Sequence, residues 1–278
     1  MRSFLSAASL LLLACTHQEP TAGQRLVFGN PAVEREFQLA IGETAVVGAD
    51  LSVTVRAVVN DSRCPLDVEC IAAGSADVAL LVRQPSRDSD LVLRQIVGAS
   101  PALAIVPGYT IELTSLTPYP AHAAVPIPIP DYRVGLTIAT LPPVAGAPLP
   151  LTRIANSGIG GFDTTATLVV RDVAAWSAFW QQMWGPMNEA PPLPEVDFAT
   201  EMVVAFASGA QPTLGYDVVL TGAGEDSTGV WIQVLERSPG SECVEGQMVT
   251  HPIDVARVPR RPDPVGFIVT PGVVHCGP

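Results

Sequence analysis

Between positions 31 and 141, apolar residues recur at every second position. Phe37, Leu39 and Ile41 begin the series. Leu51, Val53, Val55, Ala57 and Val59 continue it, with Ser52, Thr54 and Arg56 between them. Ala76, Val78, Leu80 and Val82 follow, then Leu91 and Leu93, Ile111 and Leu113, and finally Tyr132, Val134, Leu136 and Ile138. A period of two sends one face of each run into a core and the other into water. About seven such runs with no helical stretch among them predict a β-sandwich. The adjacent Val58 and Val59 interrupt the alternation and predict a bulge. Residues 117–131 hold Pro118, Pro120, Pro126, Pro128 and Pro130. Proline has no N–H to give a ladder, so a rigid loop over the end of the sandwich is expected. Val125, Ile127 and Ile129 alternate with these prolines in an extended register.

The period changes further on. Asp172 is a suitable N-cap, and Val173, Trp176, Phe179, Trp180, Met183 and Trp184 then fall at helical spacing on one face. Gly185-Pro186 ends that helix. Its apolar stripe is expected to pack under a sheet; a ligand-stacking aromatic platform is the alternative. Strand-like runs follow at 202–206, 216–220, 230–235 and 253–258, with a last one at 265–269. The acidic stretch 222–229 predicts a hairpin turn. The fold class is therefore mainly β in two domains: an N-terminal β-sandwich at 31–141 and a C-terminal β-rich (α+β) domain at 151–278 with one amphipathic helix. Pro142, Pro143, Pro148 and Pro150 make residues 142–150 a stiff Pro-rich linker between them.

Composition narrows the chemistry. The net charge is −12, and a phosphate backbone would be repelled, so nucleic acid is not an expected partner. The 15 basic residues are all Arg, which excludes lysine Schiff-base and Walker-type chemistry. No nucleophile elbow, zinc-protease helix or dinucleotide fingerprint occurs. His17, His122, His251 and His275 have no serine or thiol near them in sequence that would make a nucleophile pair. A pair of carboxylates at glycosidase spacing stays open. We expect no catalytic residues, metal site or cofactor, and hence a role through contact surfaces rather than chemistry.

The N-terminus reads as an address. Arg2 precedes the apolar run 4–13, which is too short to span a bilayer and ends in Leu12-Leu13-Ala14-Cys15. That ending resembles a bacterial lipobox, which implies removal of a signal peptide at 1–14 and acylation of Cys15. Two or more chains on one residue make anchoring stable. Thr16 follows the cysteine where an inner-membrane retention signal would place Asp, so the outer membrane is favoured. Residues 15–30 are then a lipidated tether. The four other cysteines allow three pairings. Cys64–Cys70 and Cys243–Cys276 are expected, because each pair stays within one domain. A metal site is the competitor, disfavoured by the lack of Cys-x-x-Cys or nearby His.

Two stretches carry family resemblances. Asp61-Ser62-Arg63-Cys64-Pro65, then Cys70 and Gly74, resembles a small exported-lipoprotein domain. Here the physical reading is a cystine stapling a crossover loop, with Arg63 paired to Asp61 or Asp67. From 196 to 259 the order is Val-Asp-Phe, an apolar strand, Gln211-Pro212-Thr213-Leu214-Gly215-Tyr216, a strand, an acidic turn, a strand, Ser-Pro-Gly, Cys243, Met248 and His251-Pro252. This looks like the C-terminal domain of the PrcB family, named for an outer-membrane lipoprotein that accompanies a subtilisin-like protease. The resemblance implies a protease-accessory role and an exported protease as partner. The 211–216 loop is also similar to the Asn-Pro-Thr-Thr-Gly-Tyr loop of chagasin-type cysteine-protease inhibitors. In those, the glycine loop follows; here Gly158-Ile159-Gly160-Gly161 precedes. The loop is thus read as a fold-shaping turn, a partner contact or an inhibitor loop.

Overall fold

The computed structural model describes residues 25–28, 33–97, 101–187 and 189–275. Cys15, the signal segment and Cys276 lie outside the described residues. In chain order, β1 is Arg25–Phe28, β2 Val33–Ala40, β3 Thr44–Val47, β4 Leu51–Asp61, β5 Ser75–Gln84, β6 Arg87–Ile96, β7 Ala102–Val106, β8 Tyr109–Thr117 and β9 Arg133–Thr140. Strands β2-β9-β8-β7 form one four-stranded sheet and β3-β4-β5-β6 the other. Their inward residues share a single core, with Val53, Val55, Val78, Leu80, Ile111, Leu113, Leu136 and Ile138 all buried. This is the sandwich predicted from the alternation. The pairing of β4 with β5 slips between Val58 and Asn60, a bulge where the two valines interrupt the pattern, and slips again between Val55 and Ala57.

The far end of this sandwich is closed by the cystine. Cys64 and Cys70 are bonded, with Cα atoms 5.9 Å apart. Arg63 resolves the choice between Asp61 and Asp67. Its Nε and Nη2 donate to Asp61 at 2.8 and 2.7 Å, its other donors reach the carbonyls of Leu116 and Pro118, and the guanidinium lies 5.1 Å from the Tyr119 ring centroid. Asp67 instead accepts from Ala123 N and faces His122. Leu66 N donates to Pro120 O, so the cystine loop and the proline loop buttress one another. Burial works against a charged Asp61, but Arg63 and Tyr132 outweigh it and hold its carboxyl below the usual range. Tyr132 is pushed up to about 12, first by burial and then by its bond to Asp61.

The remainder of the chain forms three layers. β10 is Ala147–Leu149, β11 Thr152–Ser157, β12 Ala166–Val170, α1 Val173–Trp184, β13 Glu201–Ala207, β14 Asp217–Asp226, β15 Gly229–Pro239, β16 Ile253–Pro259 and β17 Val265–Val274. A five-stranded sheet, β1-β17-β15-β14-β10, packs on a four-stranded sheet, β11-β16-β13-β12. Helix α1 covers the other face of the smaller sheet. Strand β13 is therefore buried on both sides: Met202, Val204 and Phe206 face the large sheet, while Val203, Ala205 and Ala207 face Trp176, Phe179, Trp180 and Met183. Asp172 caps α1 by accepting from Ala175 N at 2.8 Å. The indole N–H groups of Trp176 and Trp180 donate to the carbonyls of Pro194 and Pro191, so the proline-rich run after the helix serves as their polar partner. The aromatic stripe is core packing. Val173 departs from it: the first residue of α1 is 63% exposed. Among the described residues no helix is long and apolar enough to cross a membrane.

Two boundaries differ from expectation. Arg25–Phe28, placed within the tether predicted at 15–30, instead pairs in parallel with β17, Arg25 opposite Gly266. The first described strand thus lies at the edge of the large sheet of the second domain. The linker predicted at 142–150 is docked rather than spanning: Ala147–Leu149 pairs with β14, and Gln233 Nε2 donates to the carbonyls of Pro142 and Pro143. Gly224 leaves room for Val144 and Ala145, where a Cβ would collide, and Gly222 lies tight against Val144. Beside this seam Arg237, 4% exposed, donates to Glu112 Oε1 of β8 at 2.8 Å and to Asp217 Oδ2 of β14 at 2.6 Å. Burial pushes the Glu112 carboxyl up despite Arg237. Removing one partner would leave a buried charge alone. Arg237→Leu is therefore expected to lower unfolding free energy by about 3–5 kcal/mol, with Arg237→Leu/Glu112→Leu recovering most of it in urea titrations.

Candidate functional site

The strands β11, β14 and β16 meet at one buried carboxylate, Asp254, which has no solvent exposure. Arg153 of β11 donates to it through Nε at 2.9 Å and Nη2 at 2.9 Å. Leu220 N of β14 donates at 2.6 Å and Val255 N at 3.1 Å. Asn156 Nδ2 of β11 adds a bond to Val218 O. Burial pushes the Asp254 carboxyl above its ordinary range, and Arg153 with the Leu220 N–H offsets part of that cost. The network ties the smaller sheet to the larger at one edge.

Three loops leave the ends of these strands on the same side. One is 158–161, after β11. The second is 211–216, before β14. The third is 240–251, before β16. Backbone pairing lays them side by side. Gly160 N donates to His251 O at 2.9 Å and His251 N to Gly158 O at 2.8 Å. Gln211 and Thr250 exchange both bonds, at 2.8 and 3.0 Å, and Leu214 N donates to Gly246 O at 3.1 Å. Thr250, itself buried, sends its hydroxyl to Thr213 O at 2.9 Å. Gln211 Nε2 donates back to Ser208 O.

The predicted loop residues divide by role. Gln211 and Thr213 are half-buried and hold the framework; Pro212 and Leu214 are exposed. Gly215 takes φ +88°, a backbone conformation that favours glycine; the nearest atoms to a Cβ there would be the Glu245 carboxyl, the movable end of a flexible side chain. Tyr216 is half-buried at the root of β14. Ile159, Leu214, Met248 and Val249 are all exposed, on loops whose backbones are bonded to each other. A surface of this kind binds through apolar contact on a preformed framework.

Other sequence-predicted residues sit around this cluster or away from it. Cys64 and Cys70 staple the opposite end of the first domain. Cys243 is in loop 240–251 and is disulfide-bonded; its Sγ lies 3.4 Å from Val274 O, two residues before its expected partner Cys276. His251 Nε2 lies 3.1 Å from Asp163 Oδ1, and His122 Nδ1 3.2 Å from Asp67 Oδ2. Among the described residues no group of three or more His, Cys, Asp or Glu side chains is arranged to hold a metal ion. Sequence reasoning missed Thr250 and Ile159 as neighbours of the loop, and missed Asp254 as its root. An Asp inside the apolar run Ile253-Asp254-Val255-Ala256 was the available signal.

Asp254→Asn removes the charge that Arg153 and two backbone N–H groups address. It is expected to cost about 3 kcal/mol of stability, measured by urea unfolding, and to raise amide exchange in all three loops together.

Comparison with the curated proteins and with the solved structures returns no match. A family model does match: residues 202–259, which run from β13 through the 211–216 and 240–251 loops to the end of β16, fit the family described as PrcB C-terminal.

Proposed function

We propose that this protein is a lipid-anchored factor of the bacterial cell envelope that binds a protein partner and does no chemistry of its own. The partner is an exported protease, and the contact is the three-loop surface around Leu214. The observation that carries the reading is the framework itself. Exposed apolar side chains, Ile159, Leu214, Met248 and Val249 among them, project from loops joined by six backbone or hydroxyl bonds and rooted in a buried carboxylate. The family match adds the class of partner, since it covers two of the three loops. Anchoring rests on the Leu-Leu-Ala-Cys15 ending, and the Cys64–Cys70 cystine suits an oxidising compartment outside the cytoplasm. Metabolic labelling with palmitate should place acyl mass on the mature chain, and Cys15→Ser should abolish it and release the protein from membranes.

The docking test is capture from detergent-solubilised envelopes. The full chain should retain an exported serine protease, and Leu214→Asp/Val249→Asp should weaken retention by about tenfold or more without lowering stability. Retention unchanged by that pair would place the contact elsewhere.

One structural fact favours the second reading, a protease inhibitor presenting 211–216 to a cleft. The Gly158–Gly161 loop, which precedes 211–216 in sequence, lies beside it through His251 and Thr250. Inhibition of a papain-like protease that is lost on Gly215→Arg would support this reading over the accessory one.

A further inference from the structure

Loop 240–251 is held at its root by an ionic cluster that reaches the first domain. Gly240 N donates to Val274 O, and His275 follows immediately, one-fifth exposed (20%). Its Nε2 lies 2.8 Å from Glu34 Oε2 of β2, and its Nδ1 3.5 Å from Glu242 Oε1 of the loop. Glu112 of β8 accepts the His275 backbone N–H and pairs with Arg237 of β15, whose other nitrogen takes Asp217 of β14. The imidazole thus faces Glu34, Glu242 and Glu112, with Arg237 and Asp217 behind Glu112.

Both ring nitrogens carry a proton only in the imidazolium form. Charged, His275 presents an N–H to a carboxylate of each domain. Neutral, it keeps one donor, and one carboxylate then meets a nitrogen lone pair. Glu242 stands in the loop that backs residues 211–216 through Gly246, Thr250 and the Leu214 N–H. We propose that His275 is a pH-sensitive clasp that holds loop 240–251 against the first domain and so sets how firmly the docking loop is backed. Its meaning for binding rests on the docking reading above; the clasp itself does not.

Burial works against the imidazolium, but Glu34, Glu112 and Glu242 outweigh it, and His275 titrates above its ordinary 6.5. A folded-state pKa raised in this way gives a contribution fully present below the unfolded value and lost as pH rises through the folded one. The clasp therefore opens on the alkaline side, as pH rises through the His275 titration.

The test is hydrogen exchange of the full acylated chain in detergent, corrected for intrinsic rate. Protection of amides in 241–249 should fall about threefold to tenfold as pH rises through the His275 titration, whose midpoint is read by NMR. His275→Gln should hold protection at the lower level at every pH, and His275→Arg at the higher level. Glu242→Gln, which leaves the Glu34 contact intact, should lower protection and flatten its pH dependence. Wild-type protection that does not change with pH, or a pH dependence that survives in His275→Gln or Glu242→Gln, would overturn the proposal. No partner is needed for this measurement, so a failed capture experiment and a failed clasp are separate results.

Discussion

The second domain depends on the carboxylate of Asp254. A charged group with no solvent exposure is tolerated only where donors replace its water. Arg153, Leu220 N and Val255 N do so here, and they come from three strands in two sheets. The same bonds that satisfy Asp254 therefore bring β11, β14 and β16 together at one edge. The loops of the candidate surface begin or end on those strands. Their mutual pairing through His251 and Thr250 follows from that placement, since loops rooted a few ångströms apart must satisfy their backbone groups on each other or on water.

A second constraint is strand β13. A strand between two apolar layers has no polar face, and Met202-Val203-Val204-Ala205-Phe206-Ala207 has none. Its small residues lie toward the helix, where Ala205 and Ala207 leave room for Trp176 and Phe179 stacked at 5.6 Å. Its larger Met202 and Phe206 fill the space between the sheets, where Phe206 meets Phe267. Steric complementarity across both faces explains why one helix with three tryptophans is enough to finish the fold.

Much of this was legible in the sequence. The alternation in 37–59 and 132–138, the capped aromatic helix and the Val58–Val59 bulge all follow from local periodicity, and periodicity reports which face is buried. What stayed hidden depends on distant pairing. Arg25–Phe28 is four residues long, and its ladder partner begins at Gly266; no window contains both. Residues 142–150 carry the composition of a linker, yet Ala147–Leu149 finds an edge of β14 where its prolines are tolerated. Val173 matches the apolar stripe by type but stands at the helix start, where no layer covers it. The 211–216 loop was identifiable by its residues. Its neighbours were not, because Gly158, Gly246 and Thr250 come from three separate stretches.

Exposed apolar residues occur both on the cystine loop and on the three-loop surface, and the two are not equivalent. At the cystine end Leu66, Val68 and Ile71 are exposed on a loop whose backbone is fixed at Cys64, Leu66 and Val68, with the disulfide closing it. Beyond Val68 the apolar Ile71 lies between the disulfide at Cys70 and the Cys64 N–H bond to Ala73 O. On the three-loop surface Ile159, Leu214 and Val249 each adjoin a backbone bond to a neighbouring loop: Ile159 through Gly158 and Gly160, Leu214 through its own N–H, Val249 through Thr250. Ordering a loose side chain on binding costs about 0.5–1.5 kcal/mol, and mobile backbone adds to it. The three-loop surface differs in bonding three separate stretches of chain into one framework, and that, rather than hydrophobicity, is why the proposed docking surface is placed there.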